Sequence, residues 1–185
     1  MTLWLVRHAR PLIASGICYG ALDMDADPDL TLLAAQALAA ELPLGMAVQV
    51  SPRKRCQQLA AGLLALRSDL QFSTDVRLSE MDFGHWEGVA WADIPLAAVD
   101  AWTADFAQHR FGGKESANEV LARVGRAWDE VQGDTLWIAH SGVAQATTLL
   151  HQGLRHVGQA KDWPVSTLQY GAWVTFQTAA ARAAG

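Results

Sequence analysis

Leu3-Trp4-Leu5-Val6 runs without a break into Arg7-His8. An apolar strand that stops abruptly in a cation and an imidazole sets both at the carboxyl edge of a sheet, where open α/β folds bind their ligands. Two later apolar runs end in the same way. Ala47-Val48-Gln49-Val50 leads through Ser51-Pro52 to Arg53 and Arg55, and the run at 135–139 leads into His140-Ser141-Gly142. Three such ends on one rim would build a cationic pocket for a phosphate dianion, whose oxygens accept paired donors from guanidinium groups. Each residue taken alone reads as a surface arginine or a satisfied core histidine. Their shared placement at strand ends carries the functional reading.

Working outward, apolar periodicity predicts helices over 30–42, 53–66, 115–131 and 143–152, with further strands at 70–76 and 172–176. Residues 11–28 hold Gly16, Gly20 and a run of aspartates, and read as a long irregular segment. Residues 78–88 read as a loop, followed by a tryptophan-rich stretch to 111, and the alanine-rich tail at 178–185 is expected to fray. Strands alternating with helices predict an α/β fold. Its expected form is a single-domain, three-layer α/β/α sandwich on a mostly parallel sheet, with right-handed crossovers gathering strand ends at one rim. No linker divides the chain, so one domain is expected over 1–185, with a lid segment at 81–113.

Composition narrows the function. A chain of 185 residues with 51% hydrophobic content builds one substantial core. A net charge of −5 and a pI near 5.6 leave no basic field for a polyanionic backbone, so nucleic acid is not an expected partner. No uncharged apolar run approaches the ~18 residues of a membrane span. Cys18 and Cys56 read as reduced thiols in a cytoplasmic protein, and neither is followed by the Cys-x5-Arg loop of a cysteine phosphatase. The acidic run from Asp23 to Asp29 has Pro28 where a calcium loop needs glycine, and is expected to be solvated. Nothing calls for a metal or a nucleotide cofactor. The expected partner is a small-molecule phosphate ester, with a homodimer as the assembly to test.

Four local sequences also resemble the motifs of the histidine phosphatase superfamily, the phosphoglycerate mutase-like family. They are Leu5-Val6-Arg7-His8-Ala9-Arg10, the run from Ser51-Pro52 to Leu59-Ala60, Leu78-Ser79-Glu80 with the following Met81 to Gly88, and Ala139-His140-Ser141-Gly142-Val143. They occur in family order and span most of the chain. The resemblance implies a nucleophile at His8, with Arg7, Arg55 and His140 holding the phosphoryl group and Glu80 donating a proton to the leaving alcohol. Those roles agree with elementary chemistry, since a neutral imidazole attacks phosphorus and nearby cations oppose its protonation. On spacing alone Glu87 competes with Glu80, and Asp82 ranks third; Arg53 competes with Arg55. Ser141, at a helix start, would offer backbone N–H groups to an anion.

The first motif departs from the family's commonest form, with Ala9 in place of glycine and Arg10-Pro11 in place of Glu-Thr. The segment Gly16-Ile17-Cys18-Tyr19-Gly20-Ala21-Leu22-Asp23 and the later Gly112-Gly113-Lys114-Glu115-Ser116 are similar to segments of the α-ribazole phosphatases within this family. That likeness implies α-ribazole 5′-phosphate as substrate, with Tyr19 and Trp86 near it and Trp86, Trp91 and Trp102 able to stack on a flat heterocycle. Phosphatase action on another small ester, mutase-type phosphoryl transfer, and a non-catalytic phospholigand sensor or phosphoprotein-binding module are the alternatives.

Overall fold

Alternate residues of the central strand face two different layers, and this alternation builds the molecule. In a computed structural model describing residues 1–178, β4 (Thr135–Ala139) is buried along its whole length. Its Leu136 and Ile138 enter one core, and its Trp137 and Ala139 enter another. β1 (Thr2–Arg7) divides likewise, sending Leu3 and Leu5 to one side and Val6 to the other. Such strands are stable only with helices on both faces.

The helices are supplied in pairs. On one face α1 (Pro28–Glu41) packs on α2 (Lys54–Leu66) over Leu38, Leu59 and Leu63. On the other face α4 (Ala117–Asp129) packs on α5 (Ser141–His151) over Val120, Leu121, Val124 and Leu149. With β2 (Ala47–Val50), β3 (Gln71–Thr74) and β5 (Trp173–Gln177), the sheet has the order β3-β2-β4-β1-β5. β1, β2, β3 and β4 run parallel, and β5 joins β1 antiparallel. The chain is thus a single α/β domain in three layers, and the ends of β1, β2 and β4 lie side by side at one rim.

Local chemistry sets the boundaries. The acidic run is not simply solvated. Asp27 caps α1 by accepting the N–H groups of Asp29 and Leu30, and Asp23 accepts that of Lys54 at the start of α2. Ser116 and Glu119 form a reciprocal capping box, so α4 starts at Ala117, two residues later than the periodicity suggests. The tryptophan-rich stretch contains a helix that its apolar pattern did not reveal, α3 (Leu96–Ala104), which starts after Pro95. Residues 179–185, including most of the tail expected to fray, lie outside the described residues.

Candidate active site

His8 leaves β1 directly beside the end of β4, its backbone N–H donating to the Ala139 carbonyl at 3.1 Å. The ring is 2% exposed. Its Nδ1 lies 2.6 Å from the Ala9 carbonyl, while Arg55 Nε donates to its Nε2 at 3.2 Å. A nitrogen that accepts from guanidinium carries no proton, so Nδ1 bears the hydrogen and Nε2 the lone pair. Burial first, then the charges of Arg55 and Arg7, hold the His8 pKa down at about 3, against the pull of the Ala9 carbonyl. The imidazole is therefore neutral at physiological pH.

Arg55 lies in the first turn of α2 and is fully buried. Besides His8, its guanidinium donates to the carbonyls of Gly20 at 2.7 Å and Leu22 at 2.9 Å. Arg7 donates to the Leu168 carbonyl at 2.9 Å and stacks 3.8 Å over the Tyr170 ring. Neither arginine forms an ion pair among the described residues. His140, the residue before α5, is also fully buried, with its ring centroid 5.1 Å from that of His8. Ser51 Oγ accepts the Arg53 N–H at 3.4 Å and lies 2.8 Å from His140 Nε2. In the tautomer in which the Ser51 hydroxyl donates to Nε2, Nδ1–H is left as a donor. Burial, and then His8 and Arg55, keep His140 well below the ordinary histidine range. Two buried atoms here have no partner among the described residues: Arg7 Nε and His140 Nδ1. Buried polar groups rarely go unpaired, and together these suit an anion with several acceptor oxygens.

The three carboxylates competing on spacing fall into different surroundings. Glu80 faces the same cavity as His8. Its carboxylate accepts the N–H groups of Met81 at 3.0 Å and Gly142 at 3.1 Å, and a Cβ at position 142 would push the carboxylate out of this position. From α4, Arg123 anchors the approach to Glu80 by donating to the carbonyls of Arg77 and Ser79. Glu87, by contrast, is enclosed by four backbone N–H groups, those of Gly20, Ala21, Leu22 and Phe83, at 2.8 to 2.9 Å. Asp82 accepts the Gly84 N–H and does not border the cavity of His8. Arg53 opens onto a neighbouring groove instead.

That cavity has a volume of about 360 Å³. His8, Tyr19, Glu80, Ser141 and Gly142 form its polar end, and Phe83, Trp91, Trp102, Phe106 and Trp163 form much of the remaining wall. Among the described residues, no lysine or arginine lines it. Trp86, expected among the substrate-binding residues, is not in this wall. The tight turn Gly84–Trp86 directs its ring against Phe111, with centroids 6.0 Å apart, in a small core shared with Cys18 and Ile94. Tyr19 meets Tyr170 hydroxyl to hydroxyl at 2.8 Å. Tyr170, whose ring centroid lies 5.7 Å from that of His8, was not anticipated, because the stretch before β5 has no periodicity to place it. Cys56 packs beneath His140, and burial raises its thiol pKa to about 12, so it is inert as a nucleophile.

Comparison with known proteins identifies the family. The family model of the histidine phosphatase superfamily, branch 1, matches residues 3–178. "Putative phosphoserine phosphatase 2" of Hydrogenobacter thermophilus is 31% identical over 163 residues, covering 82% of this chain and 79% of the relative. Among solved structures, mycobacterial glucosyl-3-phosphoglycerate phosphatase superposes with a TM-score of 0.73 at 23% identity, covering 94% of this chain and 88% of its own. TTHB049 of Thermus thermophilus does so with a TM-score of 0.71 at 25% identity, covering 95% and 92%.

Proposed function

The chain belongs to the histidine phosphatase superfamily, and from that premise we propose that it hydrolyses the phosphomonoester of an alcohol that carries a flat, apolar heterocycle, with α-ribazole 5′-phosphate as the substrate. Its class, a phosphatase, follows from the family and from the phosphatase relative.

The reaction runs in two displacements. Phosphoryl oxygens take up the free donors of Arg7 and His140, and one of them replaces His8 Nε2 as the acceptor of the Arg55 Nε–H. The released lone pair attacks phosphorus, and the bond from phosphorus to the ester oxygen breaks. Glu80 gives a proton to the departing alkoxide. The Ala9 carbonyl holds Nδ1–H and supports the positive charge of the phosphorylated ring. Glu80 then takes a proton from water as its oxygen attacks phosphorus, and His8 is released neutral with inorganic phosphate. The arginines oppose charge on His8 and stabilise charge on the transferring oxygens throughout.

One observation favours this leaving group: the cavity beyond Glu80 is walled by aromatic rings and holds no lysine or arginine among the described residues. An aromatic heterocycle gains area and stacking there, whereas the carboxylate of phosphoserine would be buried unpaired. A phosphate-release screen tests the proposal with α-ribazole 5′-phosphate, phosphoserine, 3-phosphoglycerate and a sugar phosphate, beside the Glu80→Gln and Trp102→Ala variants. The ribazole ester should give the highest kcat/KM. Trp102→Ala should lower it about ten-fold while sparing the sugar phosphate, as expected for a lost aromatic contact. A preference for phosphoserine would overturn the substrate assignment.

A further inference from the structure

Arg55 is a fully buried cation with no carboxylate against it among the described residues, which is costly unless its charge is balanced by other means. Its two terminal nitrogens rest on the carbonyls of Gly20 and Leu22. Those carbonyls belong to a loop whose N–H groups converge on Glu87. The peptide unit between Gly20 and Ala21 touches both charges. Its carbonyl accepts from Arg55 at 2.7 Å, and its N–H donates to Glu87 at 2.8 Å. The peptide dipole thus lies head to tail between carboxylate and guanidinium, an orientation that favours both ions. Glu87 also binds Phe83 N–H, which ties the loop to the segment that carries Glu80.

We propose that Glu87 is a positioning residue, the remote counter-ion of Arg55, acting through the Gly20–Ala21 peptide to fix the guanidinium on the phosphoryl site. The separation suits a phosphate enzyme. A carboxylate in direct contact with Arg55 would compete with the substrate for its donors, whereas one held a peptide away offsets the charge and leaves the Nε–H face open. This inference rests on the reading of Arg55 as a phosphoryl ligand.

Glu87→Gln tests it, because an amide offers one acceptor oxygen and confronts the remaining N–H groups with donors. The readout is the inhibition constant for inorganic phosphate, with kcat/KM for an alkyl phosphate and for p-nitrophenyl phosphate. Displacing the guanidinium should weaken phosphate binding and lower both kcat/KM values alike, by about ten- to a hundred-fold. In an Arg55→Ala background, Glu87→Gln should add less than about two-fold, since the two act as a unit. Should Glu87→Gln fail to fold, replacing the Gly20–Ala21 amide by an ester removes the bridging N–H and weakens the carbonyl that accepts from Arg55, and should weaken phosphate binding in the same direction. Unchanged phosphate affinity in the folded variant would overturn the inference. So would a loss confined to the alkyl phosphate, which would mark Glu87 as the proton donor. If Arg55→Ala itself leaves phosphate affinity intact, the reading of Arg55 falls, and this inference with it.

Discussion

At the scale of single residues, the proposed chemistry turns on His8, whose neutrality is set by its position. Burial beside Arg55 and Arg7 keeps Nε2 unprotonated, as the proposed attack on phosphorus requires. The same burial has a cost for stability. His8 and His140 both have folded pKa values below the ordinary value near 6.5, so between about 3 and 6.5 the unfolded chain binds protons that the folded chain refuses. Stability is complete above that window and falls as pH drops through it. Urea titrations from pH 7.5 to 4.5 should show a progressive loss, and His8→Asn should flatten part of the slope; a stability curve level across this range would contradict the neutral, buried pair. Much of this scale was legible in the sequence. Arg7, His8, Arg55, Glu80 and His140 follow from strand ends and motif resemblance, and they lie in or around one site. The competition between Glu80 and Glu87 was not decidable from spacing, because what separates them is the set of backbone N–H groups around Glu87. Three of those four groups come from residues 20–22, more than sixty positions away.

At the scale of elements, local caps fix where helices begin. The Ser116–Glu119 box does this for α4, which supplies Arg123 to the approach of Glu80 and Ala117 and Val120 to the cavity wall. Ser116→Ala should lower unfolding free energy by about 1 kcal/mol, seen as a lower urea midpoint at constant slope. KM for the substrate should remain within about two-fold, because the other contacts of α4 hold it in place. An unchanged midpoint would show that the cap is not stabilising. Strands and helices with a continuous apolar pattern were readable within a few residues. α3 was not, since Leu96–Ala104 is apolar around most of its circumference and lacks a periodic face. Trp86 was misplaced for a related reason: composition marks an aromatic residue as buried, and only the turn at Gly84–Trp86 determines which core receives it.

At the scale of the whole molecule, sheet order explains how distant residues meet. With the order β3-β2-β4-β1-β5, the neighbours β2, β4 and β1 end together, so residues 8, 55 and 140 share one rim. Alternating strands and helices made the parallel sheet legible, whereas the antiparallel pairing of β5 depends on a long return segment that no pattern specifies. The aromatic cavity is likewise a property of the assembled fold, drawing on segments near residues 17, 83–106 and 163. The central claim, phosphoryl transfer to His8, is tested by trapping the enzyme during turnover of a 32P-labelled substrate with an alkaline quench, which preserves a phosphohistidine, and mapping the labelled peptide. The expected result is a single label on His8, absent together with turnover in His8→Ala. Turnover that persists in His8→Ala, or label on another residue, would contradict it.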